Sequence, residues 1–366
     1  MKGLRLFLPP FAPDDAGAAS VLFPLGGLVI IVDAGGCAGN ICGFDEPRAR
    51  DNGPRSVVVS AALRDMDAIL GRDDQLVAKI ARAVQSFRTS GRSFPFIALI
   101  GTPVPAIIGT DYRALCRLTE QATGVPTIAV ATDGTHLYDV GASAAYLALL
   151  RRFANLPATA SCIARGTLGV LGATPMDLAD TTAVRLRARL KAQGWQHLRC
   201  YGLDHRLSQY AAAAENEENL VIAPAGLAAA QWLEKTFGTP YRIGFPLIEE
   251  DLAASLADSA LPAQAQRILI VHQQCKANAL RRSLARRYPH AAITCATYFT
   301  RCGAYSQPQD IQLREEDDLP RCALEGHYDL IIADAIYRRA LPAYRGAFFD
   351  LPHFAASGRL APGDAQ

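Results

Sequence analysis

The sequence predicts an α/β protein: three doubly wound, Rossmann-like parallel-sheet domains around a central crevice. Three observations carry this. Short apolar runs alternate with amphipathic stretches along the 366 residues. Runs such as 28–32, 96–100, 268–271 and 330–333 are apolar at nearly every position rather than every second one, the pattern of strands covered on both faces. The chain is half hydrophobic and 20% charged, too apolar for disorder and long enough for two or three cores.

Taken in order, the first domain is expected at residues 1–155. Its strands are read at 28–32, 57–59, 96–100 and 127–130, and its helices at 75–88, 111–122 and 142–153. A linker at 154–160 leads into the second domain, 156–262, with strands at 168–171 and 220–223 and helices at 182–193 and 226–237. The stretch 258–264 opens the third, 263–366, with strands at 268–271 and 330–333 and a helix at 277–287. The tail 361–366 is expected to fray.

Composition excludes several function classes. Net charge is +2 from 37 basic and 35 acidic residues, and no aromatic residues interleave the arginine pairs, so no nucleic-acid partner is expected. The apolar run 21–32 holds Pro24, Gly26 and Gly27 and is too short to span a bilayer, so no membrane partner is expected either. Met1-Lys2-Gly3-Leu4-Arg5 lacks the apolar stretch and cleavage site of a leader, so none is expected, and nine irregularly spaced cysteines suit a reducing cytoplasm better than a disulfide framework. There is no Gly-x-x-x-x-Gly-Lys-Ser/Thr loop, so the chain is not itself an ATP-driven reductase.

In open α/β sheets ligands bind beyond the carboxyl ends of the strands. After the first strand stand Gly36, Cys37 and Cys42. A thiol on a Gly-Gly turn behind a buried strand is presented rather than buried, which suits a metal or redox ligand. His136, with Asp133, Tyr138 and Asp139, lies in the loop after 127–130; it could donate a proton, or the loop could simply cap the next helix. His272 and Cys275 follow 268–271, but two ligands are not a site, and the pair reads more simply as a satisfied loop. The remaining cysteines, Cys302 among them, are scattered singly and read as core or surface residues.

The order of several short segments resembles nitrogenase component 1 and its relatives. These are Gly36-Cys37-Ala38, Phe44-Asp45-Glu46-Pro47-Arg48, the stretch 60–71, Ile107-Ile108-Gly109-Thr110-Asp111, the stretch 233–241 and His327-Tyr328-Asp329-Leu330-Ile331-Ile332-Ala333. In that family the Gly-Cys-Ala turn carries a cluster-ligating cysteine. The departures are as informative. No cysteine stands near 11–14, Thr102 and Pro103 stand where another is expected, and Ile222-Ala223-Pro224 replaces the cysteine that holds the catalytic cofactor of true nitrogenases. His353 is similar to that cofactor's histidine ligand, with the spacing off by one.

The resemblance implies the catalytic, electron-accepting component of a two-component reductase, acting on a substrate other than dinitrogen. An ATP-dependent iron–sulfur reductase would supply low-potential electrons. Gly36, Cys37 and Cys42 would bind the cofactor, with Cys37 and Cys42 as metal ligands. The cofactor would be an iron–sulfur cluster, of [4Fe–4S] type, shared across a subunit interface in a homodimer or in a heterodimer with a second component-1-like chain. His136 and His353 are the catalytic candidates. Two other readings stay open: a scaffold or carrier for cluster or cofactor assembly, and a metal-free α/β protein that binds a small ligand.

Overall fold

The computed structural model describes residues 5–43, 55–63, 73–155, 163–178, 183–204, 206–246 and 261–359. Three parallel sheets organise them. The first contains β1 (Leu28–Ile31), β2 (Val57–Ser60), β3 (Ile97–Ile100) and β4 (Thr127–Val130), in the order β2-β1-β3-β4. Every residue of β1 and β3 is buried, because helices cover both faces. Those helices are α1 (Asp14–Leu22), α2 (Gly36–Gly43), α3 (Asp73–Thr89), α4 (Pro103–Ile107), α5 (Tyr112–Thr123) and α6 (Tyr138–Phe153).

The second sheet runs β6-β5-β7-β8, from β5 (Ala164–Leu171), β6 (His197–Cys200), β7 (Asn216–Val221) and β8 (Tyr241–Ile243). Its helices are α7 (Ala183–Ala192), α8 (Ser208–Ala211) and α9 (Leu227–Phe237). The third runs β11-β10-β9-β12-β13, from β9 (Arg267–Val271), β10 (Ala292–Thr297), β11 (Ile311–Gln312), β12 (Leu330–Ala333) and β13 (Ala347–Asp350). With it go α10 (Gln274–Arg287), α11 (Asp318–Gly326) and α12 (Phe354–Ser357).

Each sheet starts from an inner strand, builds to one side and then crosses to the other. The reversals fall between β1 and β3, between β5 and β7, and between β9 and β12. These are the places where an open parallel sheet leaves a crevice at its carboxyl edge. Cys37 and Thr102 flank the first, Thr174 and Pro224 the second, and His272 and Asp334 the third.

The cores run across the sheets. Val29 and Ile31 of β1 share a cluster with Tyr146 of α6, Tyr201 and Ala229 of α9. Leu220 and Ile222 share another with Ile268, Leu280 and Ile332. The junction is tightest where α1 meets α6. A Cβ on Gly17 would lie 1.8 Å from the Tyr138 carbonyl oxygen, and one on Gly141 would lie 1.8 Å from that of Asp14. Only glycine permits that approach.

The apolar run 21–32 divides into two elements rather than forming one. α1 ends at Leu22, a tight turn spans Phe23–Leu25, and Gly26 at φ 72° reverses the chain before β1. The edge strands β6, β8 and β11 escape the apolar-run criterion because they carry polar residues and stay partly exposed. The interior strand β10 and the edge strand β13 likewise lie outside the expected set.

Candidate functional site

The turn after β1 is built around Asp33, a carboxylate that is 1% exposed. Its Oδ2 accepts from the Ala38 N–H at 2.8 Å and its Oδ1 from the Ser60 hydroxyl at 2.5 Å, which fixes the start of α2. Cys37 therefore stands in the first turn of a helix rather than on a bare loop. Its thiol is half-buried against Thr102, whose hydroxyl donates to the Val32 carbonyl at 2.7 Å. Burial and the charges of Asp15 and Asp33 push the Cys37 thiol up, so by itself it is a poor nucleophile.

Around it the surface is open. Gly35, Gly36 and Gly39 are exposed, and a Cβ on any of them would meet nothing within 4 Å. Gly35 needs its glycine for φ 112°; no contact within the chain asks for one at Gly36 or Gly39. Beyond Thr102, α4 leaves Val104, Ile107 and Ile108 exposed, Ile107 by 84%. The side chain of Cys42 and the segments 44–50 and 64–72 lie outside the described residues.

A second cluster lies where the three sheets meet. Tyr138, at the start of α6, donates to Asp177 Oδ1 at 2.5 Å, and its oxygen lies 3.3 Å from His353 Nε2. His353 stacks on His272 at 4.3 Å and meets the Phe299 ring edge-on at 4.8 Å. It is positioned by its own N–H, which donates to Asp334 Oδ2 at 2.8 Å, while Ser357 binds the same oxygen at 2.6 Å. Its Nδ1 is buried without a partner. His272 Nδ1 accepts from the Gln273 N–H at 2.8 Å, so the ring proton sits on Nε2, facing the Pro352 carbonyl at 3.3 Å. Burial, His353 and Lys276 hold the His272 pKa well below the usual imidazole range. Next in chain, Asp139 accepts from the Thr300 N–H at 2.6 Å with Oδ2, and its Oδ1 has no partner.

His136 lies elsewhere, on the surface. Its Nδ1 is 3.1 Å from Asp133 Oδ1 and 3.9 Å from Asp14 Oδ2. These three are the group of potential metal donors found among the described residues. Their oxygens are already engaged: Asp14 accepts from the N–H groups of Asp15, Asp133 and Gly134, and Asp133 accepts from both donors of Thr135. The Thr135 bonds hold the Asp133 carboxyl down at about 2. The arrangement staples the loop 133–136 to α1. Thus His136 and His353 belong to different places, and neither adjoins Cys37 in a three-donor group among the described residues.

Sequence reasoning passed over Asp33 and Asp177. A signal existed for the first: an aspartate directly after an apolar run, repeated at Asp334. Asp177 has no local signal, since its partner Tyr138 is 39 residues away.

Residues 14–257 match the sequence model of the nitrogenase component 1 type oxidoreductases. The chain belongs to that family. Over 122 residues the chain is 32% identical to the nitrogenase iron-molybdenum cofactor biosynthesis protein NifE of Klebsiella pneumoniae. That alignment covers 32% of this chain and only 25% of that protein's length. Solved structures of nitrogenase Cp1 at pH 6.5 and at pH 5 superpose with a TM-score of 0.69 over 96% and 98% of this chain, and over 87% and 86% of theirs. At 13% identity this is a likeness of fold.

Membership of the family brings iron–sulfur clusters into question, and a cluster asks for thiolates. Cys37 fits one corner of such a group. It does not complete one, because no second His, Cys, Asp or Glu pair joins it among the described residues. The central junction does not fit a large metal cofactor: Ile222-Ala223-Pro224 contains no cysteine, and His353 is packed between Tyr138, Phe299 and His272. No helix among the described residues is long and apolar enough to cross a membrane.

Proposed function

We propose that this chain is the electron-accepting subunit of a component-1-type reductase, in which Cys37 holds part of a [4Fe–4S] cluster shared with a second subunit. The observation that carries this is a half-buried thiol in the first turn of α2, surrounded by glycines whose Cβ positions are empty. A cluster is bulky and, with its thiolates, anionic. Glycines let it come against the backbone, and a helix N-terminus favours its charge.

The exposed Val104, Ile107 and Ile108 beside the turn suit burial by the second subunit, whether a copy of this chain or another component-1-like chain. A twofold axis there would double Cys37 and Cys42 to four thiolates. Electrons would arrive from a separate ATP-dependent iron–sulfur reductase. His136 and His353 are the proton-donor candidates: His136 from the surface, His353 only by relay, since it is 1% exposed.

One observation favours a second reading, a scaffold or carrier for cofactor assembly. The three-sheet junction is filled by this chain's own Tyr138, His272, Gln273 and His353, all buried, which leaves a substrate little room there. Anaerobic purification with iron and acid-labile sulfide analysis, followed by EPR after dithionite, tests both. Absence of iron in the wild type, or unchanged iron in Cys37→Ser, overturns the cluster. Reductase-dependent ATP turnover with substrate reduction marks the enzyme; transfer of the cluster to an apo-acceptor without turnover marks the scaffold.

A further inference from the structure

The cleft between the second and third sheets contains two thiols that the reading above does not use. Its volume is about 10 Å³. Val221, Leu227 and Ile243 make an apolar wall, and Cys275, Cys302 and Tyr305 line the opposite side. Cys275 is 6% exposed and lies in the first turn of α10; Cys302 precedes the turn Gly303–Tyr305. Both backbones are pinned. The Cys275 N–H donates to Gln273 Oε1 at 2.7 Å and the Cys302 N–H to Gln274 Oε1 at 2.8 Å. Gln274 Nε2 returns a bond to the Cys302 carbonyl at 3.0 Å, and Gln273 Nε2 ties the assembly to the Ile222 carbonyl at 3.0 Å. Burial first, and then the charges of Asp177 and Cys302, push the Cys275 thiol up.

We propose that Cys275 and Cys302 together bind one soft monovalent metal ion of the copper(I) class. Sulfur is a soft donor and selects such ions over magnesium, calcium or manganese. Neither cysteine belongs to a group of three His, Cys, Asp or Glu donors among the described residues. Two thiolates satisfy a closed-shell monovalent ion, whereas a structural zinc site takes four ligands. The apolar wall keeps water from competing.

The step balances without a redox partner. Two thiols release two protons, two metal–sulfur bonds form, and the metal keeps its oxidation state. The complex bears one net negative charge; burial and the charge of Asp177 oppose it, while the amino end of a 14-residue helix and Arg282 offset it. Because protons leave, affinity rises with pH.

The test uses the full chain, anaerobic and reduced, titrated with copper(I) or silver(I) in competition with a chelator of known affinity. One ion per chain is expected, with thiolate-to-metal charge-transfer absorption and two protons released. Cys275→Ser and Cys302→Ser should each weaken binding by more than roughly 100-fold, beyond the effect of an outer-shell change; Cys116→Ser should not. Wild-type affinity in either of the first two variants, or no binding by the wild type, overturns the site. Should those variants fail to fold, alkylation of the wild type read by peptide mass decides: the ion must protect Cys275 and Cys302 together, and protection of other cysteines instead overturns it. Cys37→Ser should bind the ion normally, so loss of the iron–sulfur cluster and loss of this site are read separately.

Discussion

The phenol of Tyr138 gives its hydrogen to Asp177 Oδ1 across 2.5 Å, and this bond joins the helix after the first sheet to the loop after β5. Both side chains are buried, so the bond is not replaceable by water. Asp177 also has the Thr174 hydroxyl 3.4 Å from Oδ2 and His353 Nε2 3.6 Å from Oδ1.

Tyr138→Phe should therefore lower stability by about 1–3 kcal/mol, the cost of leaving a buried acceptor unmade. Urea unfolding of wild type and variant measures it. A difference near zero would mean that solvent reaches Asp177.

Folding should become pH-dependent through His272. Its pKa is held well below the free value by burial first, and then by His353 and Lys276; the Pro352 carbonyl opposes this weakly. The unfolded chain thus binds a proton that the native state refuses. The stability is fully present above about pH 6.5 and falls as pH drops below it. His272→Asn should flatten that part of the curve. Parallel stability-against-pH curves for the two proteins would refute the assignment.

Gly141→Ala places a methyl 1.8 Å from the Asp14 carbonyl oxygen, where backbone must move. Overpacking of this kind costs typically about 1–3 kcal/mol, occasionally more. Thermal melts should show the loss, whereas Gly36→Ala, whose Cβ meets nothing, should leave the melting temperature nearly unchanged.

The pair Arg281–Asp310 is the clearest buried ion pair of the third sheet, with guanidinium contacts at 2.5 and 3.0 Å and side chains 10% and 4% exposed. Removing one partner leaves an uncompensated charge. Asp310→Ala should cost about 3–5 kcal/mol, and the double change with Arg281→Met should recover part of it. A double-mutant cycle in denaturant provides the check.

Much of the architecture was legible because its signals are local. All-apolar runs become buried parallel strands whatever their neighbours do, and Pro24, Gly26, Gly35 and Gly238 punctuate them where the backbone turns. The edge strands of the second sheet were not legible, since His197–Cys200 and Tyr241–Ile243 are held by one neighbour and need not be apolar. Of the candidate site, the place of Cys37 just after the first strand was legible from its glycines; that Asp33 and Thr102 frame it was not, because Thr102 reaches Val32 across 70 residues.

By itself, then, the sequence determined the α/β class, the strand ends where chemistry can sit, and the family through the order of its short segments. The tertiary structure alone decided which of those ends meet. It set His353 on His272 and Tyr138, left His136 on the surface, and brought Cys275 and Cys302 to one cleft although they had read as unrelated thiols. The reason is physical. Backbone propensity and hydrophobic pattern act within a few residues of the chain, whereas the junction is assembled by packing between sheets, which no local pattern records.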